Sequence, residues 1–193
     1  MMKALQIYPL TAERWSDLVE LFGSTGADGG CWCMYWRFTS KEYTRSTRQR
    51  NKIALRQRVE AAEATGLLAY YAQQPVGWCG ISPRENFARL QHSRHFRPLD
   101  DKPTWSIVCF FIERQYRRQH IATSLLRAAV NYAFEHGAQV IESYPIQMWT
   151  ETVTVQAAFP GTVAWFHAVG FREVMQTEAR SGGQQRVIMR LER

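Results

Sequence analysis

Long apolar runs are missing from this chain of 193 residues. The longest, residues 67–72 and 107–112, reach six. Spanning a bilayer takes about twenty, so the sequence predicts a soluble protein without a membrane partner. The first twenty residues alternate apolar and polar and then turn helical, which leaves no visible signal or transit peptide. Cysteine is scarce, and the four present form no disulfide framework. Cys79 and Cys109 lie inside apolar runs, while Cys31 and Cys33 are too close to close a useful loop. A reducing, cytoplasmic setting is therefore expected. Glycine and proline, 12 and 7 residues, are not enriched, and 46% of the chain is apolar. Disordered, collagen-like and low-complexity classes are excluded on those figures. A chain of this length can bury a full core, and no linker divides it, so one domain over residues 1–193 is expected.

Acidic residues are outnumbered 17 to 24, for a net charge of +7, and residues 41–60 alone supply +5 of it. Lys41, Arg45, Arg48, Arg50, Lys52, Arg56 and Arg58 stand there against Glu42 and Glu60. Such a stretch can meet an anionic ligand or a nucleic acid. A solvated helix face explains it more simply, and nucleic acid is not an expected partner.

Hydrophobic periodicity predicts a strand over residues 3–9 and a helix over 11–22 with Thr11 as its cap. After a glycine-rich loop and the cluster Cys31-Trp32-Cys33-Met34-Tyr35-Trp36, a second helix is predicted over 40–64. Strands are predicted over 67–72 and 76–82, with the turn at Gln73-Gln74-Pro75. Residues 83–103 read as a long polar loop. A dense apolar strand over 105–112 suits the centre of a sheet. A turn leads into an amphipathic helix over 121–136, stopped by Gly137. A strand over 140–144, an irregular stretch over 148–160, a short helix over 162–169 and strands over 171–176 and 186–191 complete the chain. The order implies an α/β fold (mixed α+β), with helices on both faces of one mixed sheet.

The segment running from Ile107 through Glu113, Arg117-Arg118-Gln119-His120-Ile121-Ala122 and Thr123 to Leu126 joins a buried strand to a helix. A tight turn there aims backbone N–H groups outward, the helix start adds its positive dipole end, and two arginines add charge. These residues resemble the acetyl-CoA-binding motif of the GNAT superfamily of acyl-CoA-dependent N-acetyltransferases. Arg117 matches the motif's first position and Ala122 its last, while His120 departs from the family's glycine. Ala164-Trp165-Phe166-His167-Ala168-Val169-Gly170-Phe171 is similar to the family's closing helix and Gly-Phe strand entry. Cys31–Arg37, Pro75–Trp78, Glu142–Pro145 and Ala158–Gly161 are similar to segments of a bacterial branch.

The resemblance implies a central splayed sheet of about seven strands. It implies transfer of the acetyl group of acetyl-CoA, a donor substrate, directly to a primary amine of a small-molecule or peptidic acceptor. The alternative is an acyl-CoA-binding sensor or partner protein without transfer, and a homodimer is left open. By the same resemblance, the pantetheine arm pairs with backbone groups of Phe110, Phe111 and Ile112. The pyrophosphate rests on Arg117, Arg118, Gln119, His120, Ile121, Ala122 and Thr123. The family often places an acid, tyrosine, where this chain has Phe166, so Tyr144 is the expected substitute and Glu142 the expected base. Trp32, Tyr35 and Trp36 are expected to wall the acceptor pocket, by packing and cation–π contact. Cys31 and Cys33 with His92 and His95 could supply four zinc ligands, but Cys-x-Cys is an unusual structural spacing, and no metal is expected. Cys79 and Cys109 lack a sequence-local base and read as core rather than as nucleophiles.

Overall fold

The computed structural model describes residues 5–27, 29–147 and 159–193. The predicted start of the first strand, at residues 3 and 4, and the irregular stretch as far as residue 158 lie outside them. In chain order the elements are β1 (Gln6–Pro9), α1 (Trp15–Phe22), α2 (Ser40–Thr44), α3 (Arg48–Glu60), β2 (Leu67–Tyr71), β3 (Gln74–Pro83), α4 (Ala88–Gln91), β4 (Thr104–Ile112), α5 (Ile121–Glu135), β5 (Val140–Ser143), α6 (Val163–His167), β6 (Arg172–Ser181) and β7 (Gln184–Glu192). The strands form one seven-stranded sheet in the order β1-β2-β3-β4-β5-β7-β6. Every neighbouring pair is antiparallel except β4 with β5. The mixed α/β fold expected from the element order is the one observed.

One layer of the core packs α1, the 31–36 cluster and α3 on the sheet, through Leu18, Phe22, Trp36, Leu55 and Trp78. The opposite layer packs α5 and α6, through Leu125, Ala129, Phe166 and Phe171. The helical faces follow from periodicity: on α5, Ile121, Leu125, Ala129 and Ala133 recur every four residues and are all buried. Gly77 on β3 lets α5 come close, since a Cβ there would stand 3.0 Å from both Ile112 and Leu125 side chains.

Three local readings are corrected. The helix predicted over 40–64 is two helices, because each half carries its own cap. The Thr39 hydroxyl accepts from Glu42 N–H in a full capping box, and the Thr47 hydroxyl accepts from Arg50 N–H. The β2–β3 turn sits at Ala72-Gln73, one residue early. Both residues take positive φ, 53° and 67°, as a two-residue hairpin turn requires to match strand twist. The polar loop 83–103 contains a 3₁₀ turn at Arg84–Asn86 and the short helix α4.

Gly66 enters β2 against the neighbouring strand: a Cβ there would lie 2.3 Å from the Cys79 carbonyl oxygen and 2.4 Å from the Trp78 ring. Backbone cannot yield as a side-chain tip does. Gly66→Ala is expected to destabilise the fold by about 2 kcal/mol, the scale of overpacking, read as a lower midpoint in urea at unchanged slope.

Candidate functional site

The middle of the sheet is opened by two features of β4. Its parallel pairing with β5 stops after Ile107 opposite Ser143, yet β4 runs on to Ile112 against β3. The strands therefore part. In the β3 register Gly80 faces Cys109 and Ile81 faces Ile107, so Val108 is an extra residue, a bulge. The bulge turns both Val108 and Cys109 to the α1 layer, while Ile107 and Phe110 face the α5 layer.

Beyond the bulge, backbone groups alternate in direction. Glu113 N–H donates to Val76 O on the β3 side, and the Ile112 carbonyl accepts from Arg117 Nε on the other, at 3.0 Å. The open edge is thus made by Phe110 and Ile112. Phe111 pairs toward β3, which corrects its expected place among the backbone groups available to a pantetheine arm. The Phe110 N–H is already occupied, donating to the Phe159 carbonyl at 2.7 Å.

The turn after β4 is a 3₁₀ stretch, Arg114–Tyr116, followed by two left-handed residues, Arg118 at φ 62° and His120 at φ 60°. His120 is the N-cap of the 15-residue α5 and supplies no side-chain cap. The first-turn N–H groups of Ile121, Ala122 and Thr123 consequently have no intrahelical acceptors. Arg117, Arg118, Gln119 and His120 are all exposed. The left-handed backbone explains why a glycine would fit at 120, and why histidine, which tolerates that region better than branched residues, can stand there. His120→Gly is expected to leave stability unchanged or raise it by up to about 1 kcal/mol, and His120→Val to lower it. Thermal melts of the two variants check this.

Glu142 on β5 and Tyr144 just past its end are 2% and 0% exposed. The Tyr144 hydroxyl donates to Glu142 Oε2 at 2.9 Å and stands 3.0 Å from Ser106 Oγ. Arg84 Nε and Arg190 Nε each approach Glu142 at 3.4 Å, on different oxygens. Arg190 also makes a bidentate pair with Asp100, at 2.8 and 3.1 Å. Burial and then the Glu142 carboxylate hold the Tyr144 phenol well above its usual pKa. One carboxylate thus serves two buried guanidinium groups, of which Arg190 has Asp100 as a second partner. Glu142 and Tyr144, expected as base and acid, are brought together in a buried network at the start of the splay.

The aromatic cluster divides. Trp32 and Cys33 both take positive φ, 45° and 53°, so the chain reverses between Trp32 and Tyr35. Trp32 stacks on Trp15 at 5.9 Å and meets Phe22 at 5.3 Å. It borders a cavity of about 350 Å³ whose walls come from α1, α3 and their loops. Trp32 therefore stands apart from the other two. Tyr35 and Trp36 border a different cavity, of about 460 Å³, between α4 with its following loop and the β6–β7 hairpin. Among the described residues neither cavity has a lining residue from β4 or β5, but Trp36 in the wall of the second lies 5.7 Å from the Tyr144 ring, and Tyr35 lies 5.5 Å from Phe159.

Phe166 is fully buried, 5.1 Å from Phe171 and 6.4 Å from Phe110. Cys79 and Cys109 are buried. Burial pushes the Cys79 thiol well up, and the hydrogen bond with Cys33 together with burial does the same for Cys109. Neither is a ready thiolate. Among the described residues no group of three or more His, Cys, Asp or Glu could hold a metal ion. No helix there is long and apolar enough to cross a membrane. Sequence reasoning missed Arg84, Arg89, Arg186 and Arg190. A signal existed for the last two, which share a strand face with Ile188 and so point to the α1 layer.

Among curated proteins nothing matches the chain. Solved structures match over nearly its whole length: Ard1 from Thermoplasma volcanium at 12% identity and TM-score 0.56, over 98% of this chain and 97% of that one. Ribosomal-protein-alanine N-acetyltransferase from Brucella melitensis matches at 15% and 0.58, over 97% and 99%. PaiA N-acetyltransferase from Thermoplasma acidophilum, in complex with coenzyme A, matches at 14% and 0.56, over 98% and 99%. At such identities the likeness is one of fold. The sequence model described as the acetyltransferase (GNAT) family matches residues 31–151, more than half of the chain, and the chain belongs to that family.

Proposed function

We propose that the protein transfers the acetyl group of acetyl-CoA to the primary amine of a small acceptor. The observation that carries this is the open edge of β4 leading, within one turn, to the exposed arginines and the uncapped start of α5. Pyrophosphate would rest on the N–H groups from Arg118 to Thr123, with Arg117 and Arg118 adding charge. The pantetheine arm would pair with Phe110 and Ile112 as an added strand, which requires Phe159 to give up the Phe110 N–H and Arg117 to give up the Ile112 carbonyl. The thioester would then lie where β4 and β5 part, and a backbone N–H beside the bulge would stabilise the oxyanion.

The amine attacks the thioester carbon, the tetrahedral intermediate collapses, and the CoA thiolate leaves. The ammonium form loses one proton before attack, and the nitrogen loses a second as the intermediate collapses. With Glu142 and Tyr144 engaged in the buried network, water reaching the cavity beside Tyr35 and Trp36 is the proton acceptor in this reading. The second reading, acyl-CoA binding without transfer, is favoured by Phe166, which has no proton to give a departing thiolate. An acetyl-CoA-dependent thiol-release assay over an amine panel tests the proposal. Turnover with any amine supports transfer, and tight acetyl-CoA binding with no turnover across the panel supports the second reading.

A further inference from the structure

The cavity beside Tyr35 and Trp36 is lined by four arginines, Arg89, Arg94, Arg180 and Arg186, and by two histidines, against one carboxylate, Glu178. Glu178 is 88% exposed at its side chain and only 4.0 Å from His95. Arg186 is the telling residue. It is 3% exposed, its Nη1 donates to the Tyr144 carbonyl at 2.7 Å, and its guanidinium lies 5.5 Å from the Trp36 and Phe159 ring centres. Among the described residues no carboxylate forms an ion pair with it. Burial lowers its pKa to about 10, which leaves it charged at neutral pH. A buried cation without a counter-ion is costly.

Arg89 adds a second fixed cation. It donates to the Tyr35 carbonyl and to Ser40 Oγ, and stacks 4.0 Å over the Tyr35 ring. Neither contact neutralises it. A cavity of about 460 Å³ suits one small molecule.

Resting on the acetyl-transfer reading of the same site, we infer that the acceptor is a small amine that also carries an anion, a carboxylate or a phosphate. The anion pairs with Arg186 and the exposed Arg94 and Arg180 at the cavity mouth. Tyr35 and Trp36 cover the carbon skeleton, and the amine points toward the splay at Tyr144. The same cations repel polyamines, whose charge has the wrong sign.

The test uses matched pairs that differ only in the anion: L-tyrosine with tyramine, and phosphoethanolamine with ethanolamine, with spermidine as a cationic control. Calorimetric titration into protein saturated with coenzyme A needs no turnover. The anionic member of at least one pair is expected to bind at least about tenfold tighter than its parent amine, the worth of one charge-assisted hydrogen bond. Preference within the first pair identifies a carboxylate acceptor, and within the second a phosphate. Arg186→Gln should abolish the preference and leave coenzyme A affinity unchanged. If that variant does not fold, Arg94→Ala with Arg180→Ala, two exposed sites, should reduce it. Equal binding within both pairs, stronger binding of spermidine, or a preference that survives every variant overturns the inference. Thiol release separates the two claims. Turnover with tyramine or spermidine but with no anionic amine would keep acetyl transfer and sink the anionic acceptor. Anion-selective binding without turnover would do the reverse.

Discussion

Replacing Arg117 and Arg118 together by glutamate is expected to weaken acetyl-CoA binding at least about a hundredfold. Both side chains are exposed on the turn that precedes α5, so the change leaves the core untouched. Each reversal removes a charge-assisted contact worth about 1.5–3 kcal/mol and adds a repulsion. Two such losses give about two to four decades in dissociation constant. The wild-type affinity should fall with ionic strength, and the variant should lose that dependence or invert it, because salt screens attraction and repulsion alike. Isothermal titration at two salt concentrations reads both. Unchanged affinity would remove the pyrophosphate from this turn.

The second large effect is on stability. Glu142→Gln is expected to cost about 3 kcal/mol, because Arg84 and Arg190 lose the carboxylate they share and breaking a buried pair from one side is expensive. In a chain of this size that is a fall in Tm of about 10 °C. Arg190 keeps Asp100, and Arg84 keeps the Phe96 carbonyl, so the fold should persist at low temperature. Measured there, kcat should fall by less than about tenfold. General-base assistance is worth a hundredfold or more, so a loss of that size at an unchanged Tm would identify Glu142 as the base.

What the sequence made legible is what rests on local pattern. The stripe of α5, the apolar run of β4 and the glycine that stops α5 are periodic or compositional signals, and they positioned the turn that carries the family motif. The misplaced features depend on rarer chemistry. Ala72 and Gln73 give no glycine or asparagine to announce a left-handed turn. The break between α2 and α3 hangs on two threonine caps inside a stretch that reads as continuous helix. The surroundings of Glu142 were invisible, since its partners Arg84 and Arg190 come from a loop and the last strand and meet it only across the sheet. The same holds for the cavity arginines, drawn from α4, its following loop and the final hairpin. The division of Trp32 from Tyr35 and Trp36 follows from two consecutive left-handed residues, and nothing in the residue types demands that.

The central claim is that coenzyme A lies along the open edge of β4 and over the start of α5. A ¹H–¹⁵N NMR titration with coenzyme A tests it most directly. The account predicts that the amides of Phe110 and Ile112 and those from Arg118 to Thr123 shift, the Phe110 amide as it exchanges the Phe159 carbonyl for the ligand, while the amides of β1 and β6 stay in place. Shifts centred on the outer strands, or on the basic helix α3 with the turn unmoved, would contradict it.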